Sequence, residues 1–224
     1  MRAAALHLHT QWTHLIDPVR PLLELGGVLL TAALHLGWPL TGLPRGVLVV
    51  PLVAAWVGYV AVRAHVAPAA LDDWGLRREG LVPTALASLG VLGVGAAGML
   101  AAGSYLGHTL PWWAVGCLLV YPIWGLIQQL LVQGMVTRNL AQLPGRPGHP
   151  VAVTVVSAAA FGLVHWGEPV LVGSTFLLGL LLAPMWLRWR NLWPMAFVHG
   201  WLGTLVYYLV MGRDPLLTYF SSGG

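Results

Sequence analysis

The sequence predicts an all-α membrane protein, a polytopic bundle of about seven transmembrane helices. Composition, the lengths of the apolar segments and the placement of the arginines carry that prediction. Hydrophobic residues make up 58% of the 224 residues and charged residues only 8%, with a mean hydropathy of +0.76. A water-soluble domain of this size needs far more polar surface. All 11 basic residues are arginine, against 7 acidic ones. They are too sparse and too scattered to form a nucleic-acid groove. The single cysteine, Cys117, lies within an apolar run and reads as a small buried hydrophobe, with no second thiol for an intramolecular disulfide.

Residues 1–20 are interrupted by His7, His9, Gln11, His14 and Asp17. They lack the apolar core of a signal peptide and read as an interfacial segment. A single membrane domain is expected over 21–211, followed by a tail at 212–224. A helix needs roughly 20 apolar residues to cross a bilayer. Segments 21–42, 46–66, 82–103, 112–138, 151–165, 169–187 and 192–211 approach or meet that length. Trp112, Trp113, Trp186, Trp189 and Trp193 fall at their ends, as an aromatic belt would. With seven spans, Arg2, Arg20, Arg63, Arg77, Arg78, Arg138, Arg146, Arg188 and Arg190 share one side, and Arg45 and Arg213 share the other. That bias predicts an inner-membrane protein with a cytoplasmic N-terminus. The stretch LDDWGLRREGLVP (71–83) is too polar to span and reads as an amphipathic segment lying on the cytoplasmic face.

Polar side chains at membrane depth are costly and usually face the bundle interior. Gln128, Gln129 and Gln133 lie in the apolar run IWGLIQQLLVQG. On a regular helix, Gln129 and Gln133 share a face. Interhelical amide bonding is one reading of them. Two histidines on other spans, His165 in FGLVHWGEP and His199 in FVHGWLG, favour a shared polar centre instead. Glu168, three residues after His165, is placed either to orient its imidazole or to sit in a solvated loop; the spacing fits both.

These residues resemble the motifs of the CAAX protease and bacteriocin-processing family, which includes the type II CAAX prenyl endopeptidases. That family carries EExxxR, FxxxH and HxxxN or HxxxD in this order. The corresponding stretches here are QQLLVQ (Gln128 to Gln133), FGLVH (Phe161 to His165) and HGWLG (His199 to Gly203), over a core of about 70–211. The resemblance implies a membrane endopeptidase fold, with membrane-bound or prenylated peptides as substrates. It also implies a centre in which a glutamate and histidines activate water.

Only Phe161, His165 and His199 match the motifs. Gln128 and Gln129 replace the glutamates, Gln133 the arginine and Gly203 the asparagine. An amide cannot accept a proton near neutral pH. Two neutral histidines also fall short of the three protein ligands usual for catalytic zinc. No metal and no cofactor are therefore expected, and a disabled protease-lineage centre is the leading expectation. Three origins fit the glutamines: natural divergence, a deliberate Glu-to-Gln replacement, or a different chemistry using His165, His199 and Glu168. Gln133 and Gly203 favour natural divergence. The alternative from another class is a non-catalytic subunit or scaffold of a larger, pigment-containing membrane complex.

Overall fold

In a computed structural model of the chain, the described residues are 19–143 and 149–220, with backbone alone for 218–220. The segment read as interfacial lies almost wholly outside them. Nine helices and no strand occur among the described residues. They are α1 (Arg20–Gly37), α2 (Arg45–Val66), α3 (Ala69–Trp74), α4 (Leu81–Leu106), α5 (Ala114–Ala141), α6 (Pro150–Leu163), α7 (Pro169–Trp189), α8 (Trp193–Leu205) and α9 (Pro215–Phe220). A 3-10 turn, Trp38–Thr41, extends α1. Within α5 the segment Leu130–Thr137 is π-helical, and α8 continues as a π-helical turn, Val206–Val210.

The starts of α6, α7 and α8 follow from Pro150, Pro169 and Pro194 in their first turns. Proline there gives up only an N–H that has no helical acceptor. Five helices (α1 with its 3-10 turn, α2, α4, α5 and α7) are long and apolar enough to cross a membrane, by length and composition. The segment expected at 151–165 is the shorter α6, roughly 21 Å long at 1.5 Å per residue. That falls short of a hydrocarbon core of about 30 Å. The segment expected at 192–211 becomes α8 with its π turn. The expected tail holds α9.

The bundle is built around α8. Pro194, Met195, Ala196, Val198, His199, Gly200, Leu202, Thr204 and Leu205 are all buried on it, and it packs against α5 and α4. The α5–α8 crossing is close because glycines face each other's backbones. A Cβ on Gly200 would stand 2.5 Å from the Pro122 nitrogen, and one on Gly125 2.5 Å from the Ala196 oxygen. Small residues let membrane helices approach in this way, since packing rather than hydrophobic exclusion holds them together.

One expectation about the aromatic belt is corrected, at a junction with the 71–83 stretch. That stretch is two-sided: Asp72, Arg78, Glu79 and Val82 are exposed, while Trp74 and Gly75 are buried against the bundle. Trp74 is only 1% exposed and its carbonyl accepts the indole N–H of Trp186 at 3.4 Å. The Asn191 amide donates to the carbonyls of Arg77 and Glu79 at 2.6 and 3.0 Å. Trp186, expected in the aromatic belt, is fully buried at that junction, whereas Trp112, Trp113 and Trp193 are exposed. The indole of Trp186 is held inside because it has a backbone partner there, which an amphipathic ring otherwise finds at the interface.

Candidate functional site

The glutamines lie in α5 where the α-helix gives way to the π-helical segment. π turns of this kind recur at functional sites. Gln129 is fully buried, and its amide nitrogen lies 3.1 Å from Nδ1 of His199 on α8. The NH2 donates, so Nδ1 accepts and the imidazole carries its proton on Nε2. A carboxylate at that place would demand the opposite: Nδ1–H as donor, leaving Nε2 as the free base.

His165 sits in the turn between α6 and α7. Its Nδ1–H donates to the carbonyl of Phe161 at 3.0 Å, which leaves Nε2 as an acceptor. The Thr175 hydroxyl lies 3.4 Å from the same Nδ1 and donates to the Leu171 carbonyl at 2.6 Å. Phe161 joins the two imidazoles. Its ring meets His165 edge-on at 5.8 Å and His199 at 5.2 Å, centroid to centroid. The motif phenylalanine is thus a spacer that both histidines touch.

Gln128, His165, His199 and Gly203 line one small cleft with a cavity volume of about 70 Å³. Thr175 and Tyr207 add hydroxyls, and Met99, Leu171, Leu178 and Leu202 make much of the remaining wall apolar. Among the described residues no acidic side chain lines the cleft, and no three His, Cys, Asp or Glu side chains come together as a metal site would need. The wall is mostly apolar with a few convergent polar groups, the usual make-up of a small-ligand pocket. Gly203 leaves room, since a Cβ there would make only ordinary contact with the Tyr121 ring at 3.6 Å.

Two residues expected to support the centre point elsewhere. Gln133 is buried, but its carbonyl oxygen accepts the Thr137 hydroxyl at 2.8 Å and it does not line the cleft. Past Leu130 the π turns break the 100° step that would have kept it on Gln129's face. Glu168 leaves His165 alone. Its carboxylate accepts from the Arg213 guanidinium at 2.7 Å in an exposed pair. Thr175 was not foreseen, because a threonine hydroxyl inside an apolar helix usually bonds its own backbone, and Tyr207 lies in the run LVYYLV, which reads as plain apolar helix.

A second polar centre was also missed. Glu24 on α1 is 2% exposed. Its carboxylate accepts from the Tyr59 hydroxyl and from the Asn139 amide, each at 2.7 Å, with the Arg138 guanidinium at 3.5 Å. Arg138 donates in turn to Asp73 at 2.9 Å and to the Asn139 carbonyl at 2.9 Å. Two carboxylates face Arg138 and Arg20. A buried acid in an apolar run is itself a signal.

Residues 108–205 match the family of type II CAAX prenyl endopeptidase Rce1-like proteins. The similarity is confined to that segment, which is under half of the chain. The Rce1-like segment runs from just before α5 into α8. It contains Gln128, Gln129, Phe161, His165, His199 and Gly203, and is narrower than the 70–211 core expected from the motifs. Glu24, Tyr59 and Asp73 lie outside it, whereas Arg138 and Asn139 lie inside. Neither a curated protein nor a solved structure matches the chain.

Proposed function

We propose that this chain is a membrane-embedded endopeptidase homologue that binds at the ancestral cleft without hydrolysing. The reading rests on one observation: a buried amide, Gln129, occupies the place beside His199 where the family motif has a carboxylate. General-base help from a side chain contributes about 10²–10⁴-fold in rate. An amide supplies none of it, and its NH2 holds the imidazole in the tautomer whose Nε2 carries a proton. The cleft has two imidazoles and a largely apolar wall. The ligand class that suits them is the family's own, a membrane-bound or prenylated peptide, held and not cut. We place the chain in the inner membrane as a seven-span protein with a cytoplasmic N-terminus, on the arginine bias.

Restoring both carboxylates, Gln128→Glu with Gln129→Glu, tests whether the amides alone silence the centre. With Gln133 and Gly203 also departing from the motifs, the double variant is expected to stay silent towards a membrane-embedded peptide. Cleavage that appears in the double variant and disappears with His165→Ala would instead mark a protease disabled only at the glutamines. Retained fold and silence together with a stoichiometric bound partner would favour the scaffold role.

A further inference from the structure

The two ends of the bundle are told apart by contacts between residues distant along the chain. At one end, Glu24 near the start of α1 meets Asn139 at the end of α5. Asn191, after α7, meets the carbonyls of Arg77 and Glu79 before α4 at the same end. At the other end, Arg213 beyond α8 pairs with Glu168 before α7, and the His108 ring after α4 donates to the Leu209 carbonyl at 3.1 Å. The arginines divide unequally between the two. Among the described residues, every arginine except Arg45 and Arg213 stands at the first end.

The cleft belongs to the arginine-poor end. His165 lies in the turn that closes α6 there, Leu171 and Thr175 in the first two turns of α7, and Gly203 and Tyr207 beyond His199 on α8 and its π turn. On α5 the lining stops at Gln128, near the middle of the helix. Towards the arginine-rich end the bundle is sealed. Met195, one turn before His199, is fully buried, as are Leu192 and Trp186, and Trp74 joins them in one core cluster.

We infer that the cleft is entered from the face opposite the arginine-rich one, and that its ligand is the extracytoplasmic end of a membrane-embedded peptide. An excess of arginine marks the cytoplasmic face of a membrane protein, which puts the mouth of the cleft outside. A ligand from the cytoplasm would have to cross a core packed without gaps, and such packing leaves no path. The mouth carries the exposed Trp166 and the Glu168–Arg213 pair, groups suited to a membrane–water interface. The inference rests on the reading of the cleft as a peptide site and on the cytoplasmic N-terminus. Of the ligands that reading allows, it selects a membrane-embedded peptide over a prenylated tail, which is anchored in the cytoplasmic leaflet.

Thiol labelling in spheroplasts tests it. In a Cys117→Ala background, Ser174→Cys places a thiol in the cleft wall. Thr109→Cys places one in the exposed link between α4 and α5 at the arginine-poor end. Glu79→Cys replaces a side chain that is 72% exposed at the arginine-rich end. The probe is trimethylammonium-ethyl methanethiosulfonate, a cation that does not cross a bilayer. Ser174→Cys and Thr109→Cys are expected to react in intact spheroplasts, and Glu79→Cys only after permeabilisation. Where Ser174→Cys does not fold, Gly203→Cys, which has room for its Cβ, reads the same cleft from α8. Reaction of Glu79→Cys before permeabilisation would place the arginine-rich end outside and overturns the inference. Reaction of the cleft thiol only after permeabilisation overturns it too, as does a cleft thiol that reacts from neither side. Labelling needs no ligand and no turnover, so a failure of peptide binding is a separate result.

Discussion

The bundle contains two buried polar centres, and they use opposite chemistry. Around Glu24 the chain keeps true charges, with a carboxylate, two guanidiniums and a second carboxylate closing on one another. Around His199 it keeps only neutral groups, an amide and two imidazoles, in a cleft without an acid. The charged centre is closed and its carboxylate is used up by Tyr59, Asn139 and Arg138. The neutral centre is open, and it leaves the Gln129 carbonyl oxygen buried without a partner. Carboxylates are evidently tolerated in this membrane where they fasten helices. Their absence from the cleft is therefore specific to that site, and no general aversion to buried charge explains it.

The contrast can be broken most forcefully at the charged clamp that Glu24, Arg138 and Asn139 form. Glu24→Ala strands Arg138, and removing one partner of a buried ion pair typically costs about 3–5 kcal/mol. A large fall in thermal midpoint in detergent should follow. A change within error would mean that Arg138 is fully served by Asp73 and that the charged centre does not fasten α1. Next in size is Gly200→Ala. Its Cβ would collide with the backbone of Tyr121 and Pro122, and overpacking of this kind costs about 1–3 kcal/mol. The effect should appear as lost stability together with separation of Gln129 from His199, read from the imidazole nitrogen shifts. Gly203→Ala, which meets only ordinary contacts, should leave both nearly unchanged.

Gln129→Leu sharpens the comparison from the neutral side. It removes the donor to His199 Nδ1 and leaves a buried ring nitrogen unpaired, a loss of about 1–3 kcal/mol. Part of that is offset, because the partnerless carbonyl oxygen of Gln129 goes with it. The net change should be smaller than that of Glu24→Ala under the same conditions. The smallest effect is expected at Glu168→Gln. Its pair with Arg213 is solvent-exposed on both sides, and such pairs contribute about 0–1 kcal/mol.

The all-helical membrane fold class was legible because hydropathy reports directly on the bilayer. The histidines were legible because imidazole at membrane depth needs a reason. The clamp was not read, although Glu24 interrupts an apolar run. Its partners Tyr59, Asp73, Arg138 and Asn139 lie far along the chain, and Arg138 alone looked like a topology signal. The position of Gln133 was misjudged for a local reason, and Glu168 takes the second of the two placements its spacing allowed, a solvated loop. A π-helical register cannot be read from a sequence that suits an α-helix equally well. A carboxylate three residues from a histidine is also free to turn to a guanidinium more than forty residues away. Trp186 was placed at the interface because nothing in WLRWRN announces the backbone carbonyl of Trp74 that receives its indole.

The central claim is that an amide beside His199 leaves the cleft able to bind but unable to cut. The most direct measurement is cleavage of membrane-embedded and prenylated peptides by the unmodified chain in liposomes, compared with His199→Ala. The account predicts no difference in product between the two, and binding of uncut peptide by the unmodified chain. Product formed by the unmodified chain and abolished by His199→Ala would contradict it.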